Sequence, residues 1–156
     1  MKESMKLNKI KTAGGIVLKD DKILFIYKRG IWDLPKGKVE EGSSSRKTAK
    51  IEISEETGLP KKQLKILKKL IPTHYHKKVD GEAIVKKTEW FLIKFNGDEH
   101  TPLIPDKNEG ITECKWFAFD ELVLVLEKSH ERIRYLIEFF LNMPYYKKYR
   151  LGLNKK

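Results

Sequence analysis

The sequence is short of cysteine and of long apolar runs, and each shortage excludes a class of protein. Cys114 is the one cysteine among 156 residues, so the chain can form neither an internal disulfide nor a cysteine-rich zinc site. The longest apolar runs, such as Leu122–Leu126, are far shorter than a bilayer span. Residues 1–11 are basic but lack the apolar stretch of a secretory leader. We therefore expect a soluble protein of the reducing cytoplasm that does not insert into membranes.

Internal repeats, low-complexity tracts and long linkers are missing as well. Hydrophobic residues make up 40% of the chain and charged residues 35%, a balance that is typical of a globular protein rather than a disordered one. The length suits one hydrophobic core. We predict a single domain over residues 1–156, with its core at about 12–143 and a basic tail at 144–156.

Acidic residues are too few to balance the basic ones. The 33 Lys and Arg exceed the 22 Asp and Glu, which gives a formal charge of +11. Residues 61–87 carry +7 of this excess and residues 144–156 carry +5. A basic surface attracts nucleic acid, anionic lipid or a small polyphosphate. Scattered lysines on a solvated surface would give the same composition, so charge alone does not choose a partner.

The first half of the chain predicts a hairpin, a loop and a helix. Two apolar runs, Gly14–Leu18 and Ile23–Tyr27, flank a turn at Asp20-Asp21. Ile31–Gly42 is rich in glycine, proline and charge and predicts an ordered loop. Ser43–Thr57 predicts a helix with serine caps at its start and Gly58 at its end.

The second half predicts more strands and then helices. Strands are expected at Leu64–Ile71, at Ala83–Phe95 and at Cys114–Phe119, the last after a loop at Thr101–Gly110. Between the first two, Thr73–Glu82 is expected to form a hairpin that turns at Asp80-Gly81. Asp120 is expected to cap a helix over Glu121–Leu126, and a last helix over Glu131–Met143 should end at Pro144. This order predicts an α+β or α/β sandwich in which the first helix packs on a mixed sheet.

Three carboxylates lie on one face of the predicted first helix. At 100° per residue, Glu56 is about 40° from Glu52, and Glu55 is about 60° from it on the other side. Like charges on one face repel each other, and a hard divalent cation such as Mg²⁺ would offset that repulsion. A solvated acidic face is the alternative explanation, and the glutamates alone favour it.

The loop before this helix supports the metal hypothesis. Gly37 and Gly42 permit a tight backbone path, and Lys36 and Lys38 would lie beside the acidic face where a metal-bound phosphate would sit.

Together, loop and helix resemble the signature of the Nudix hydrolase family. Gly37 opens the motif and Glu52–Leu59 closes it at the family's spacing, over 23 residues. Ala13–Val17 is similar to the family's first strand, and Trp32–Gly37 to its approach to the signature. Trp116-Phe117, followed by Asp120–Leu122, resembles the late strand and helix start. The resemblance covers about residues 12–143 and implies a Nudix-type α/β/α sandwich with a mixed β-sheet.

Two positions depart from the family pattern. Ser43 stands where the family has a glutamate, and Ile51 stands where it has an arginine. Ser43 could still cap the helix, whereas Ile51 removes a guanidinium that should neutralise nearby carboxylates. We expect activity to be retained but weakened, with a nucleotide-binding or sensing module that has lost catalysis as the alternative.

The resemblance implies a metal-dependent pyrophosphohydrolase that cleaves a nucleoside diphosphate linked to another moiety. Mg²⁺, or Mn²⁺, would be held by Glu52, Glu55, Glu56 and the backbone carbonyl of Gly37. The base would be one of these glutamates or a loop carboxylate. Glu109 is the candidate in the late loop, although a merely solvated residue would also explain its position.

The sequence Leu-Pro-Lys-Gly-Lys at Leu34–Lys38 resembles that of the Nudix branch that acts on dinucleoside polyphosphates and diphosphoinositol polyphosphates. We therefore expect a small nucleotide polyphosphate as substrate and a monomer or homodimer as the assembly. An RNA 5′-pyrophosphohydrolase is the alternative, because the basic segments could contact RNA. Tyr145–Arg150 could be such a contact, but a solvated or self-packing tail is the preferred interpretation. The residues expected to bind the substrate are Lys36, Lys38, His76, Lys78 and Lys87.

Overall fold

The computed structural model describes residues 8–154, which form eight strands and four α-helices. Residues 1–7 and 155–156, which include most of the basic N-terminal segment, lie outside the described part of the chain. The strands are β1 (Asn8–Lys19), β2 (Lys22–Lys28), β3 (Ile31–Asp33), β4 (Lys36–Lys38), β5 (Leu64–Lys69), β6 (Thr73–Val79), β7 (Glu82–Phe95) and β8 (Ile111–Ala118). The helices are α1 (Ser45–Thr57), α2 (Leu122–Leu126), α3 (Glu131–Leu141) and α4 (Pro144–Asn154).

The strands form one open, mixed sheet, as expected. Its path runs β3-β2-β1-β7-β5, while β4 pairs with β1, β6 with β7 and β8 with β2. The long central pair β1–β7 is parallel, from Asn8 opposite Ile84 to Leu18 opposite Lys94. The other pairings are antiparallel. Both predicted hairpin turns, Asp20-Asp21 and Asp80-Gly81, are confirmed by the register of the strands that they join.

Helices cover both faces of the sheet, which confirms the sandwich. On one face, Ala49 and Ile53 of α1 pack with Val17 and Phe91 in a buried apolar cluster. On the other face, α3 and α4 pack over a second cluster that contains Trp90. The Trp90 indole N–H donates to the Thr73 hydroxyl at 2.8 Å, so this tryptophan is a core residue rather than a base-stacking one.

Helix α1 confirms the prediction except at its first residues. The helix begins at Ser45, and the Ser44 hydroxyl, not that of Ser43, accepts the capping hydrogen bond from the Lys47 backbone N–H. Gly58 ends the helix in the left-handed conformation, with φ of 81°, a geometry that glycine adopts without steric cost.

The structure corrects two other local predictions. The predicted loop Ile31–Gly42 contains the short strands β3 and β4, because its backbone pairs with β2 and β1. Asp120 does not cap α2; it lies inside a 3₁₀ turn, where the Glu121 carboxylate accepts from the Ala118 N–H instead.

The segment from Pro144 onward is also structured. Pro144 follows α3 and also begins α4, where its fixed φ suits a first helical turn. Tyr146 packs edge-on against Phe119 and Phe140, so α4 contacts the core through one side while most of its other residues are exposed. Within residues 8–154, no helix is both long and apolar enough to cross a bilayer.

Candidate functional site

A polar cavity of about 410 Å³ opens where β4, α1 and the 3₁₀ turn at Lys107–Glu109 meet. Its walls hold four carboxylates and four lysines beside Ile10, Thr12 and Gly37. The charged residues are Glu40, Glu52, Glu56, Glu109, Lys28, Lys36, Lys38 and Lys86. Both signs of charge therefore converge on one cleft, as a site for a cation together with a phosphate requires.

Glu56 is the most buried of these carboxylates, with 3% of its surface exposed. Helix α1 holds it there because Ile53 and Thr57 anchor the same helical turn in the core. Its Oε1 accepts from the Lys36 backbone N–H at 2.9 Å. Burial raises the pKa of Glu56 to about 7, although that hydrogen bond and the charges of Lys36 and Lys28 act in the opposite direction.

Glu52 lies against the backbone of Gly37. The pairing of Gly37 with Ala13 places β4 so close to α1 that a side chain at residue 37 would collide with the Glu52 carboxylate. Burial, followed by the negative charges of Glu55 and Glu109, raises the pKa of Glu52. Burial and the neighbouring negative charges therefore disfavour the ionised forms of Glu52 and Glu56.

Two of the three predicted helix glutamates share the cavity, and the third does not line it. Glu55 is exposed and borders a separate hollow with Ile104–Asn108. Glu109, the candidate base, does line the cavity with Glu52 and Glu56. Among residues 8–154, no three His, Cys, Asp or Glu side chains already meet in a metal-binding arrangement.

The residues present nevertheless fit a divalent cation. Their donors are hard carboxylate oxygens, and their raised pKa values come from burial and mutual repulsion. A cation would relieve both effects.

Four lysines supply the positive side of the cavity. The Lys36 ammonium pairs with Asp33. Burial alone would raise the pKa of Asp33, but this ammonium and the Leu34 N–H outweigh burial and lower it. Lys28, Lys38 and Lys86 have no carboxylate within 4.0 Å in the described part of the chain. The ammonium groups of Lys28 and Lys38 are therefore free to contact an anion, while that of Lys86 lies 5.9 Å from the centroid of the Tyr75 ring.

Lys28 was not among the expected substrate-binding residues, and Lys86 was expected only as one of the cations of the basic segment 61–87 that could lie along a polyphosphate chain. Lys38 pairs with Thr12 and Lys86 with Ile10, so the two lysines flank β1 on one face of the sheet. Lys86 lies in the basic segment 61–87, which was a usable signal. The position of Lys28 depends on the pairing of β2 and β8, for which the sequence has no local marker.

The other expected substrate-binding residues lie outside this cavity. His76 and Lys78 are exposed on β6. The Lys87 ammonium is 3.9 Å from a Glu89 carboxylate oxygen, and Glu89 also pairs with Lys11 and Lys69. The structure thus brings Lys36 and Lys38 to the carboxylates and places His76, Lys78 and Lys87 elsewhere.

The two departures from the family signature occupy exposed positions. Ser43 donates its backbone N–H to the Glu40 carbonyl at 3.0 Å, and Ile51 is 39% exposed. The positive charges nearest to Glu56 come instead from Lys36 and Lys28. These lysines supply part of the neutralisation that an arginine at residue 51 would provide.

Comparisons with known proteins identify the family and the fold of this chain. The family model described as NUDIX domain matches residues 9–140. A Mycobacterium tuberculosis relative that is named as the mutator protein MutT4 is 32% identical over 104 residues. These residues are 67% of this chain but only 39% of that protein. The RNA pyrophosphohydrolase of Rickettsia bellii is 28% identical over 125 residues, 73% of this chain and 78% of that one. Among solved structures, the Caenorhabditis elegans Ap4A hydrolase binary complex superposes with a TM-score of 0.62 at 20% identity, over 84% of this chain and 94% of that one.

Proposed function

The chain belongs to the Nudix family, and we propose that it hydrolyses a phosphoanhydride bond of a nucleotide polyphosphate, with a dinucleoside polyphosphate as the preferred substrate. One observation carries this proposal: Glu52, Glu56 and Glu109 share a cavity with Lys28, Lys38 and Lys86. Carboxylates suit a divalent cation and lysines without carboxylate partners suit phosphate oxygens, so the cavity matches a metal-bound polyphosphate chain.

Each group has a proposed role in the reaction. Glu52, Glu56 and the Gly37 carbonyl would hold Mg²⁺ or Mn²⁺. Such a cation, when bound, neutralises phosphate charge and lowers the pKa of the attacking water. Glu109 would accept the proton of that water, and Lys28, Lys38 and Lys86 would hold the phosphate chain. Glu55, exposed beside the cavity, would join the metal ligands through a change of rotamer.

The length of the proposed substrate follows from where the cations lie. Lys38 and Lys86 stand on opposite sides of β1, so a chain of several phosphates could contact both. The pairing of β6 with β7 places His76, Lys78 and Lys87 on the opposite face of the sheet from Lys86, so they would not contact the phosphates between Lys38 and Lys86. The resemblance of the segment Leu34–Lys38 to the branch that acts on dinucleoside polyphosphates supports the same substrate class.

Removal of a 5′-terminal pyrophosphate from RNA is the second candidate. It is favoured by relatives that are named RNA pyrophosphohydrolases, which match this chain over 70–73% of its length at 26–28% identity. The same carboxylates and lysines would serve both substrates, because both reactions break a phosphoanhydride bond.

A substrate panel with Mg²⁺ or Mn²⁺ tests the proposal. It should cover dinucleoside polyphosphates, 5′-triphosphorylated RNA, nucleotide sugars, ADP-ribose, nucleoside triphosphates and diphosphoinositols. We expect Glu56→Gln to lower kcat by about a hundredfold or more, because it removes the buried carboxylate. Glu41→Gln makes the same chemical change at an exposed position outside the cavity and should be neutral. Full activity of Glu56→Gln would contradict the proposal, and binding without turnover in the wild type would favour a sensing module.

A further inference from the structure

A second charged groove lies on the far side of helix α1 from the cavity. It has a volume of about 560 Å³ and runs between the N-terminal half of α1 and strand β5. Five basic residues line it: Arg46, Lys47, Lys50, Lys62 and Lys65. No acidic residue among those described lines the groove, so its walls carry a concentrated positive charge.

Several lysines elsewhere in the described chain have carboxylate partners, whereas the five groove residues do not. Elsewhere, Lys11, Lys69 and Lys87 surround Glu89, and Lys22 contacts Asp21 and Glu99. Within residues 8–154, none of the five groove residues has a carboxylate within 4.0 Å. The Arg46 guanidinium lies 5.7 Å from the centroid of the Phe91 ring, but no described carboxylate offsets the mutual repulsion of the five cations, and a bound anion would offset it.

The helix itself supports the same interpretation. Arg46 and Lys47 occupy the first turn of α1, which contains no acidic residue. The positive end of a helix dipole favours anions and disfavours cations, so these two residues oppose the stability of the helix. A phosphate in the groove would be attracted by the cations and by the helix dipole together.

The groove is separate from the candidate active site. At 100° per residue, Arg46 lies about 80–120° and Lys50 about 120–160° around the helix from Glu52 and Glu56. No residue lines both the groove and the cavity. An anion in the groove would therefore leave the cavity accessible.

We propose that this groove binds the phosphate backbone of single-stranded nucleic acid. Its cations lie on two walls, as a chain of successive phosphates requires, and no aromatic residue lines it to stack a base. Its apolar residues, Leu64 and Ile66, are buried or half-buried, so nothing protrudes to enter a lipid bilayer. Binding is therefore sequence-independent and electrostatic, and it does not depend on which anhydride the cavity hydrolyses.

Salt-dependent binding of an oligouridine of about 12 nucleotides tests the proposal. The oligonucleotide carries a 5′-hydroxyl, so that it offers the cavity no anhydride. Each lost phosphate contact reduces the slope of log K against log salt by about 0.7 for single strands. The double variant Lys50→Gln/Lys62→Gln, which neutralises one lysine on each wall, should reduce the slope by about 1.4.

The matched control is Lys128→Gln/Lys148→Gln, which removes the same charge from exposed positions outside the groove. Its slope should equal that of the wild type, and Glu56→Gln should also bind the oligonucleotide normally. Equal losses in the groove and control variants would overturn the proposal and indicate diffuse attraction or a contact along α4. Co-sedimentation with anionic vesicles, without oligonucleotide binding at low salt, would overturn it in favour of a membrane.

Discussion

At the scale of single residues, two glycines on neighbouring strands have different surroundings. A methyl group at Gly14 would collide with the Pro35 carbonyl and the Lys36 backbone, which strand pairing holds in place. A methyl group at Gly37 would meet the Glu52 carboxylate, the end of a flexible side chain. The first glycine therefore permits close packing of the backbone, and the second permits a particular position of a carboxylate.

This difference predicts opposite consequences for two alanine substitutions. Gly37→Ala should lower kcat strongly while changing the free energy of unfolding by less than about 1 kcal/mol, because Glu52 can swing away. Gly14→Ala should destabilise the fold by about 2 kcal/mol or more, because backbone must move. Thermal unfolding and turnover measured on both variants test this. A stable, fully active Gly37→Ala would contradict the placement of Glu52 against residue 37.

At the scale of elements, helix α1 contributes residues both to the cavity and to the basic groove. Its start, its end and its apolar anchor residues follow from local sequence, through Ser44, Gly58 and the pair Ala49 and Ile53. Its basic first turn follows no local stability rule, since acidic residues are favoured there. That conflict is explained if the groove beside α1 binds an anion.

We predict that Lys47→Glu stabilises the protein and weakens nucleic-acid binding. Glutamate at residue 47 would complete a capping box with Ser44 and would complement the helix dipole, together worth about 1 kcal/mol. Lys47→Gln would keep the capping geometry without the negative charge and should gain less. Chemical denaturation and oligonucleotide titration of both variants provide the measurement. A less stable Lys47→Glu would show that the first turn is not under electrostatic stress.

At the scale of the whole molecule, folding places a carboxylate where it ionises with difficulty. Burial raises the pKa of Glu56 from its ordinary value of 4.5 to about 7, so the folded protein binds this proton more tightly than the unfolded chain. The associated stability is complete below pH 4.5 and is lost as the pH rises to about 7. Asp33 acts in the opposite direction, because its lowered pKa confers stability that is lost only below its ordinary value of 3.8.

We therefore predict that Glu56→Gln stabilises the metal-free protein more at pH 8 than at pH 5. The difference should grow up to about pH 7 and then level off, with a total of about 3 kcal/mol at most. Denaturant unfolding in the presence of a chelator, across this pH range, measures it. The contribution of Asp33 is common to both proteins and cancels in the comparison. A difference that is independent of pH would mean that Glu56 is already ionised at pH 5.

The sequence by itself determined the sandwich of helices on a mixed sheet, the two hairpin turns, the end of α1 at Gly58 and the carboxylates of the Nudix signature. These features depend on hydrophobic period, turn residues and spacing along the chain, which are local properties. Only the tertiary structure decided that Glu55 lies outside the cavity, that Lys28 and Lys86 line it, and that His76, Lys78 and Lys87 do not. It also decided that five basic residues from α1, β5 and the turn between them form one groove. Such groupings depend on strand register and on the packing of one element against another, and residues far apart in sequence carry no local mark of meeting there.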